Sequence, residues 1–282
     1  MQRQPQTVPA PPPDPPELPE GARPRWPAWY AAVAFLVALS GTFIAVGIIA
    51  AITGNTSDQD SPTFTIAGTL VQDVIFVATA VGFASLQRRP RAWHFGLTRT
   101  RLWSAVRWAG LGILAFYFLS FVYQAVVHPD TKQVVTQQLG ANRGTLGLIV
   151  AGIMVIVVAP AAEEFFFRGF FYRALRSRFS VIAAAVIDGL LFGAIHYDFS
   201  GGNGLLIVPP LALLGFIFCL VYERTGSIYP TIALHSFNNT IAYAVQADGG
   251  AVSAVLGPAM IAACVLVPRF TRPGPRPAPA VR

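Results

Sequence analysis

Two adjacent carboxylates, Glu163 and Glu164, stand in a stretch from Thr145 to Tyr172 whose only other charge is Arg168. A charge near the centre of a bilayer costs roughly 2.5 to 3.5 kcal/mol on insertion scales, so carboxylates in such a stretch face a polar interior and mark function. On a helix Glu164 and Arg168 are four apart and meet, while Glu163 points about 100° away. One carboxylate is thereby neutralised, and the other is left available as a general base. Two further groups carry chemistry of the same kind. His196 closes the run Phe192-Gly193-Ala194-Ile195-His196, and His235 and Asn239, four apart, share one helical face. With the turn between the fourth and fifth apolar runs centred near Arg178, Glu163 and His196 sit at depths differing by about 5 Å. Glu163, His196, His235 and Asn239 can then converge in one buried pocket. One Glu and two His are also a zinc donor set, although the helical H-E-x-x-H spacing is absent. No cofactor is expected, with zinc as the alternative.

The elements that position these groups follow from composition. The chain has 282 residues, of which 54% are hydrophobic and 12% charged, against about a quarter charged in soluble domains. Apolar runs of about 20 residues without alternation select membrane-spanning helices over a barrel. The fold class is all-α, a polytopic helix bundle with about eight transmembrane helices, at roughly 28–53, 64–86, 104–127, 146–175, 181–199, 205–222, 228–246 and 251–268. The fourth, some 30 residues or about 45 Å long, must tilt or protrude from a hydrocarbon core of about 30 Å.

Residues 1–27 are Pro-rich and read as a disordered cytoplasmic tail, 28–268 as the transmembrane domain with a catalytic core about 146–245, and 269–282 as a disordered basic cytoplasmic tail. The first run lacks a basic n-region and is too long for a signal peptide. The net charge of +7 could suggest nucleic acid, but the basic residues fall in short loops. Eighteen of the twenty lie on one side of an eight-span arrangement, with only Lys132 and Arg143 on the other, which places both termini in the cytoplasm of a cell-membrane protein. All five tryptophans, Trp26, Trp29, Trp93, Trp103 and Trp108, fall near that face as interfacial anchors, and 93–108 begins as a surface-lying helix. Cys219 and Cys264 sit in apolar runs and suggest neither a disulfide nor a thiolate metal site. Asp73 and Asp188 read as interhelical hydrogen-bond partners, and His94 and His128 as surface residues.

The segments Glu-Glu-Phe-Phe-Phe-Arg (163–168), Phe-Gly-Ala-Ile-His (192–196) and His-Ser-Phe-Asn-Asn (235–239) resemble, in order, the EExxxR, FxxxH and HxxxN motifs of the CPBP family of CAAX-processing and bacteriocin-processing intramembrane proteases, also called Abi. The resemblance spans roughly Leu146 to Val245. It implies that Glu163 and His196 activate a water that attacks a peptide carbonyl, that His235 and Asn239 stabilise the oxyanion, and that Glu164 and Arg168 support them. The chemistry agrees, since peptide hydrolysis needs a base near the water and preformed donors where negative charge develops. The expected activity is therefore that of an intramembrane endopeptidase acting on a membrane-associated peptide or protein, with the lipid bilayer as the other partner and no nucleic acid. The rival reading is a catalytically silent scaffold or immunity protein that binds a partner in the same pocket. Ion-coupled transport, resting only on buried carboxylates, lacks the repeated or broken helices it would need.

Overall fold

In the computed structural model, residues 26–54, 61–87, 89–129, 135–197 and 204–270 are described. The two tails lie largely outside them. The described residues form eight main helices and no strand: α1 (Ala28–Thr53), α2 (Pro62–Ser85), α3 (Leu102–Val127), α4 (Gly144–Leu175), α5 (Val181–Ala194), α6 (Val208–Thr225), α7 (Tyr229–Gln246) and α8 (Gly250–Leu266). Shorter turns, Ala92–Phe95 and Val135–Gln138 among them, join these. Helices are the form in which backbone polar groups bond within one segment, as lipid requires. The chain is a multi-pass membrane protein. Among the described residues, six helical segments are long and apolar enough to cross a bilayer.

Two of the eight runs differ from a full apolar span. At 14 residues, α5 is about 21 Å long and falls short of the hydrocarbon thickness. It ends at Ala194 rather than reaching 199, so His196 lies in the turn just beyond it. The helix α7 is long enough, at 18 residues, but His235, Asn238 and Asn239 make it too polar to count with the six.

Ring contacts set the register of α2 against α4. Phe76 stacks on Phe166 with centroids 4.8 Å apart, and Phe83 meets Phe170 at 6.3 Å. Ascending numbers pair with ascending numbers, so the two helices run parallel. Asp73 and Glu163, each three residues before the stacked pair, therefore lie at the same depth.

Around the Glu pair α4 is not a regular helix, since π-turns at Met154–Val158 and Phe167–Phe171 flank it. Pro160 accounts for a consequence of the first. In this turn the Ala159 N–H bonds to the Met154 carbonyl, one residue further back than in an α-helix. The next N–H, at position 160, does not exist because the residue is proline. The Val155 carbonyl is thus left without a partner within α4, and the side-chain amide of Asn239 on α7 donates to it at 2.8 Å. Sequence at one position thereby ties α7 to α4 beside the carboxylates.

The helices α5 and α6 touch backbone to backbone. A Cβ on Gly189 would lie 2.6 Å from the Ala212 carbonyl oxygen, and one on Gly193 would lie 2.7 Å from that of Val208. Small residues four apart permit such close approach in lipid, where packing replaces the hydrophobic effect as the driving force between helices.

Two further expectations from the sequence do not hold. Trp26 is buried against Phe95 and Phe170 rather than anchored at an interface. His94 is buried in the 3₁₀ turn Ala92–Phe95 rather than on the surface, its Nδ1 accepting from the Arg91 N–H while its carbonyl accepts from Arg173. Arg173 reaches this segment across the sequence and draws it into the bundle, which helical periodicity does not reveal. His128 is exposed at the end of α3.

Candidate active site

The network of buried polar atoms begins on α4. Arg168 donates from one guanidinium nitrogen to Glu164 Oε1 at 2.9 Å, one helical turn back. Its other terminal nitrogen donates to the Gly215 carbonyl at 2.8 Å and lies 3.4 Å from Asp188 Oδ1 on α5. Glu164, Arg168 and Asp188 are fully buried. The guanidinium is also packed between the rings of Phe192 and Phe218, at 4.6 and 5.0 Å from their centroids. A cation so desolvated is held by paired charge and by ring faces together.

Glu164 passes this order on to α7. His235 Nδ1 lies 3.1 Å from Glu164 Oε1, and because an ion-paired carboxylate only accepts, Nδ1 carries the proton. The other ring nitrogen, Nε2, then faces Glu163 Oε2 at 3.9 Å. His196 is arranged the same way from α5. Its Nδ1 lies 2.7 Å from the Phe192 carbonyl oxygen and so carries the proton, and Nε2 faces the same Glu163 Oε2 at 3.8 Å. Phe192 packs against both imidazoles, with centroids 4.9 Å from His196 and 5.7 Å from His235.

Glu163 Oε2 is thus the point on which two imidazoles converge, one from α7 and one from the turn after α5, and it has no hydrogen-bond partner among the described residues. Separations of 3.8 and 3.9 Å are too long for direct hydrogen bonds and short enough for one water, at about 2.8 Å from each group, to reach two of the three. His196 is 29% exposed against 5% for His235, so the site opens on the His196 side.

Asn239 sits one turn beyond His235 on α7 but turns its amide to Val155, and its Oδ1 accepts from Asn238 at 3.3 Å. Glu163, His196 and His235 are brought together around one oxygen, while Asn239 stands beside them as part of the α4–α7 tie.

Several residues of this arrangement were not legible as site residues. Asp188 completes the Arg168 pair, and its signal was its standing as the lone acidic side chain of α5. Asp73 is buried at the depth of Glu163, yet neither of its oxygens has a hydrogen-bond partner among the described residues. The Gly215 and Val155 carbonyls carry no sequence signal, because any residue supplies a carbonyl.

Residues 145–241 match the family model for the Type II CAAX prenyl endopeptidase, Rce1-like. All three motifs lie within that segment. These residues, about a third of the chain, are similar to that family, in agreement with the resemblance of the three motifs. Among curated proteins, the Bacillus subtilis (strain 168) protein named "Uncharacterized protein YyaK" is 31% identical over 134 residues, 45% of this chain and 44% of its own length. The same organism's "Putative membrane peptidase YdiL" is 31% identical over 99 residues, 34% of this chain and 38% of its own. An Escherichia coli "Uncharacterized 24.3 kDa protein" is 29% identical over 106 residues, 37% of this chain and 48% of its own. The matched stretches therefore span less than half the length of these relatives. No solved structure matches the chain.

Proposed function

We propose that this protein is an intramembrane endopeptidase, acting in the cell membrane with both termini in the cytoplasm and hydrolysing a peptide bond of a membrane-associated peptide or protein. The observation that carries the reading is the convergence of His196 Nε2 and His235 Nε2 on the unpartnered Glu163 Oε2. The family match over the same segment supports it.

In the proposed reaction a water held between Glu163 and His196 loses a proton to the carboxylate as its oxygen attacks the peptide carbonyl. Glu163 suits the part because Arg168 compensates its neighbour Glu164 and leaves Glu163 free. His235, when it carries protons on both nitrogens, donates from Nδ1 to Glu164 and presents Nε2–H to the developing oxyanion. Asn239 joins it once one amide hydrogen turns from Val155 to the substrate. The proton held by Glu163 then passes to the leaving amine, so that water and peptide are consumed and an acid and an amine released.

Replacing Glu163 by Gln keeps the side chain's size and removes the base. Loss of a positioned base costs about 10² to 10⁴ in rate, so membrane peptide fragments present with the wild-type protein should vanish with Glu163→Gln while its amount in the membrane is unchanged. Full retention of those fragments rejects Glu163 as the base. A phenotype complemented equally by both proteins assigns the pocket to binding alone. One carboxylate and two imidazoles are also suitable ligands for a metal ion. If Glu163 and His196 hold the water by themselves, cleavage by purified protein should continue in a strong chelator. Loss of cleavage on chelation, restored by zinc, would replace that water with a metal-bound one.

A further inference from the structure

A second cavity lies on the other side of α7 from the carboxylates. A cavity of about 710 Å³ opens between the start of α3, the start of α7 and the end of α8, within the size range of small-molecule sites. None of its lining residues is acidic. Its mouth is formed by Arg99, Arg101 and Arg269 and its shaft by apolar side chains, with Leu102 and Ile113 marking its extent along α3. Ala233 and Phe237 wall it from α7, and Ile261 from α8.

Three features together define what fits. The first is depth: Leu102 to Ile113 spans eleven residues, about 16 Å along the helix, which is about half of a 30 Å hydrocarbon core. The second is level. Trp103 beside the mouth is 81% exposed, and Trp108, one turn further on, is covered by the guanidinium groups of Arg107 and Arg224 at 5.1 and 4.7 Å. Exposed tryptophan with arginine is the signature of the membrane–water interface. The third is charge. Arg99, Arg101 and Arg269 are all exposed and none of their guanidinium groups forms a hydrogen bond or ion pair with the described residues. The rim that carries Arg99 and Arg101 is held in place independently: the Ser227 hydroxyl donates to the Thr98 carbonyl at 2.7 Å, the Thr98 hydroxyl to the Gly226 carbonyl at 3.0 Å, and the Ile228 N–H to the Gly96 carbonyl at 2.9 Å.

We propose that this cavity binds one anionic glycerophospholipid of the surrounding membrane, with an acyl chain in the apolar shaft and the phosphate among Arg99, Arg101 and Arg269. A guanidinium is suited to phosphate because its paired N–H groups match two oxygens. The shaft selects a lipid over a soluble phosphate, since only a lipid has a chain to pack against its apolar wall. The bound chain packs on Ala233, Leu234 and Phe237, on α7 beside His235, and so braces the helix that carries half of the candidate site.

The test uses the full-length protein, stripped of lipid in detergent, to which dioleoylphosphatidylglycerol, dioleoylphosphatidylcholine or inorganic phosphate is added. Native mass spectrometry counts retained lipid and thermal unfolding reads stabilisation. One phosphatidylglycerol should be retained with a preference over phosphatidylcholine of at least about tenfold, the scale of a few interfacial arginines acting on one anionic headgroup. Inorganic phosphate should neither compete nor stabilise. The combined variant Arg99→Ala, Arg101→Ala, Arg269→Ala should lose the headgroup preference, and Ala109→Phe, which fills the shaft, should lose retention of both lipids. Equal retention of the two lipids by the wild-type protein overturns the proposal without reference to any variant. An undiminished preference in the triple variant does so as well, as does stabilisation by inorganic phosphate alone.

Discussion

Arg168 is fully enclosed, and its contacts decide what the neighbouring carboxylates can do. It joins Glu164, Asp188 and the Gly215 carbonyl at once, a geometry that needs a planar fork of donors. A lysine ammonium keeps the charge but reaches fewer of these groups. Breaking a buried charge network by removing one partner costs about 3 to 5 kcal/mol. Arg168→Ala should therefore fail to accumulate in the membrane, and Arg168→Lys should accumulate with a lowered unfolding temperature. A Lys variant as stable as the wild type would mean that Glu164 is held by His235 rather than by Arg168. The helical spacing of four already pointed to the Glu164–Arg168 pair. Asp188 as its third member was not legible, because nothing local in sequence says which face of α5 meets α4.

At the scale of elements, the site depends on how closely α5 lies on α6. Gly193 stands three residues before His196, and a Cβ there would meet the Val208 carbonyl oxygen and the Ala212 nitrogen, each at 2.7 Å. Both are backbone atoms that cannot turn aside, so Gly193→Ala must push the helices apart. Overpacking of this kind costs about 1 to 3 kcal/mol. It also moves His196 away from Glu163, and misplacement by about 1 Å can lower a rate by about 10². Unfolding temperature and cleavage should both fall. In Gly82→Ala, where nothing lies within 4 Å of the added carbon, activity should be unchanged and helix stability raised by about 0.5 to 1 kcal/mol. Equal behaviour of the two variants would show that the α5–α6 contact does not position the imidazole. The FxxxH spacing named His196, but a uniform helical reading carried it inside a span. The structure ends α5 at Ala194, two residues before His196, which therefore belongs to a turn whose exposure opens the site.

For the whole molecule, the distribution of arginine predicts a single orientation. With Arg89→Cys and Arg143→Cys introduced singly, a thiol reagent that cannot cross membranes should label position 143 on intact cells and position 89 only after lysis. Both positions are exposed, and the native Cys219 and Cys264 are buried and should stay silent. Labelling in the reverse order would invert the proposed topology and place the arginine-rich cavity in the outer leaflet.

By itself the sequence determined that the chain is a helical membrane protein and which polar residues interrupt its apolar runs, because hydropathy and the helical repeat are local properties. The meeting of Glu163 with two imidazoles, the third partner of Arg168, the level of Asp73 and the tie from Asn239 to Val155 were decided only by tertiary structure. Each depends on the angle and register between helices far apart in the chain, and these are set by ring stacking, glycine contacts and an irregular turn beside Pro160 acting together.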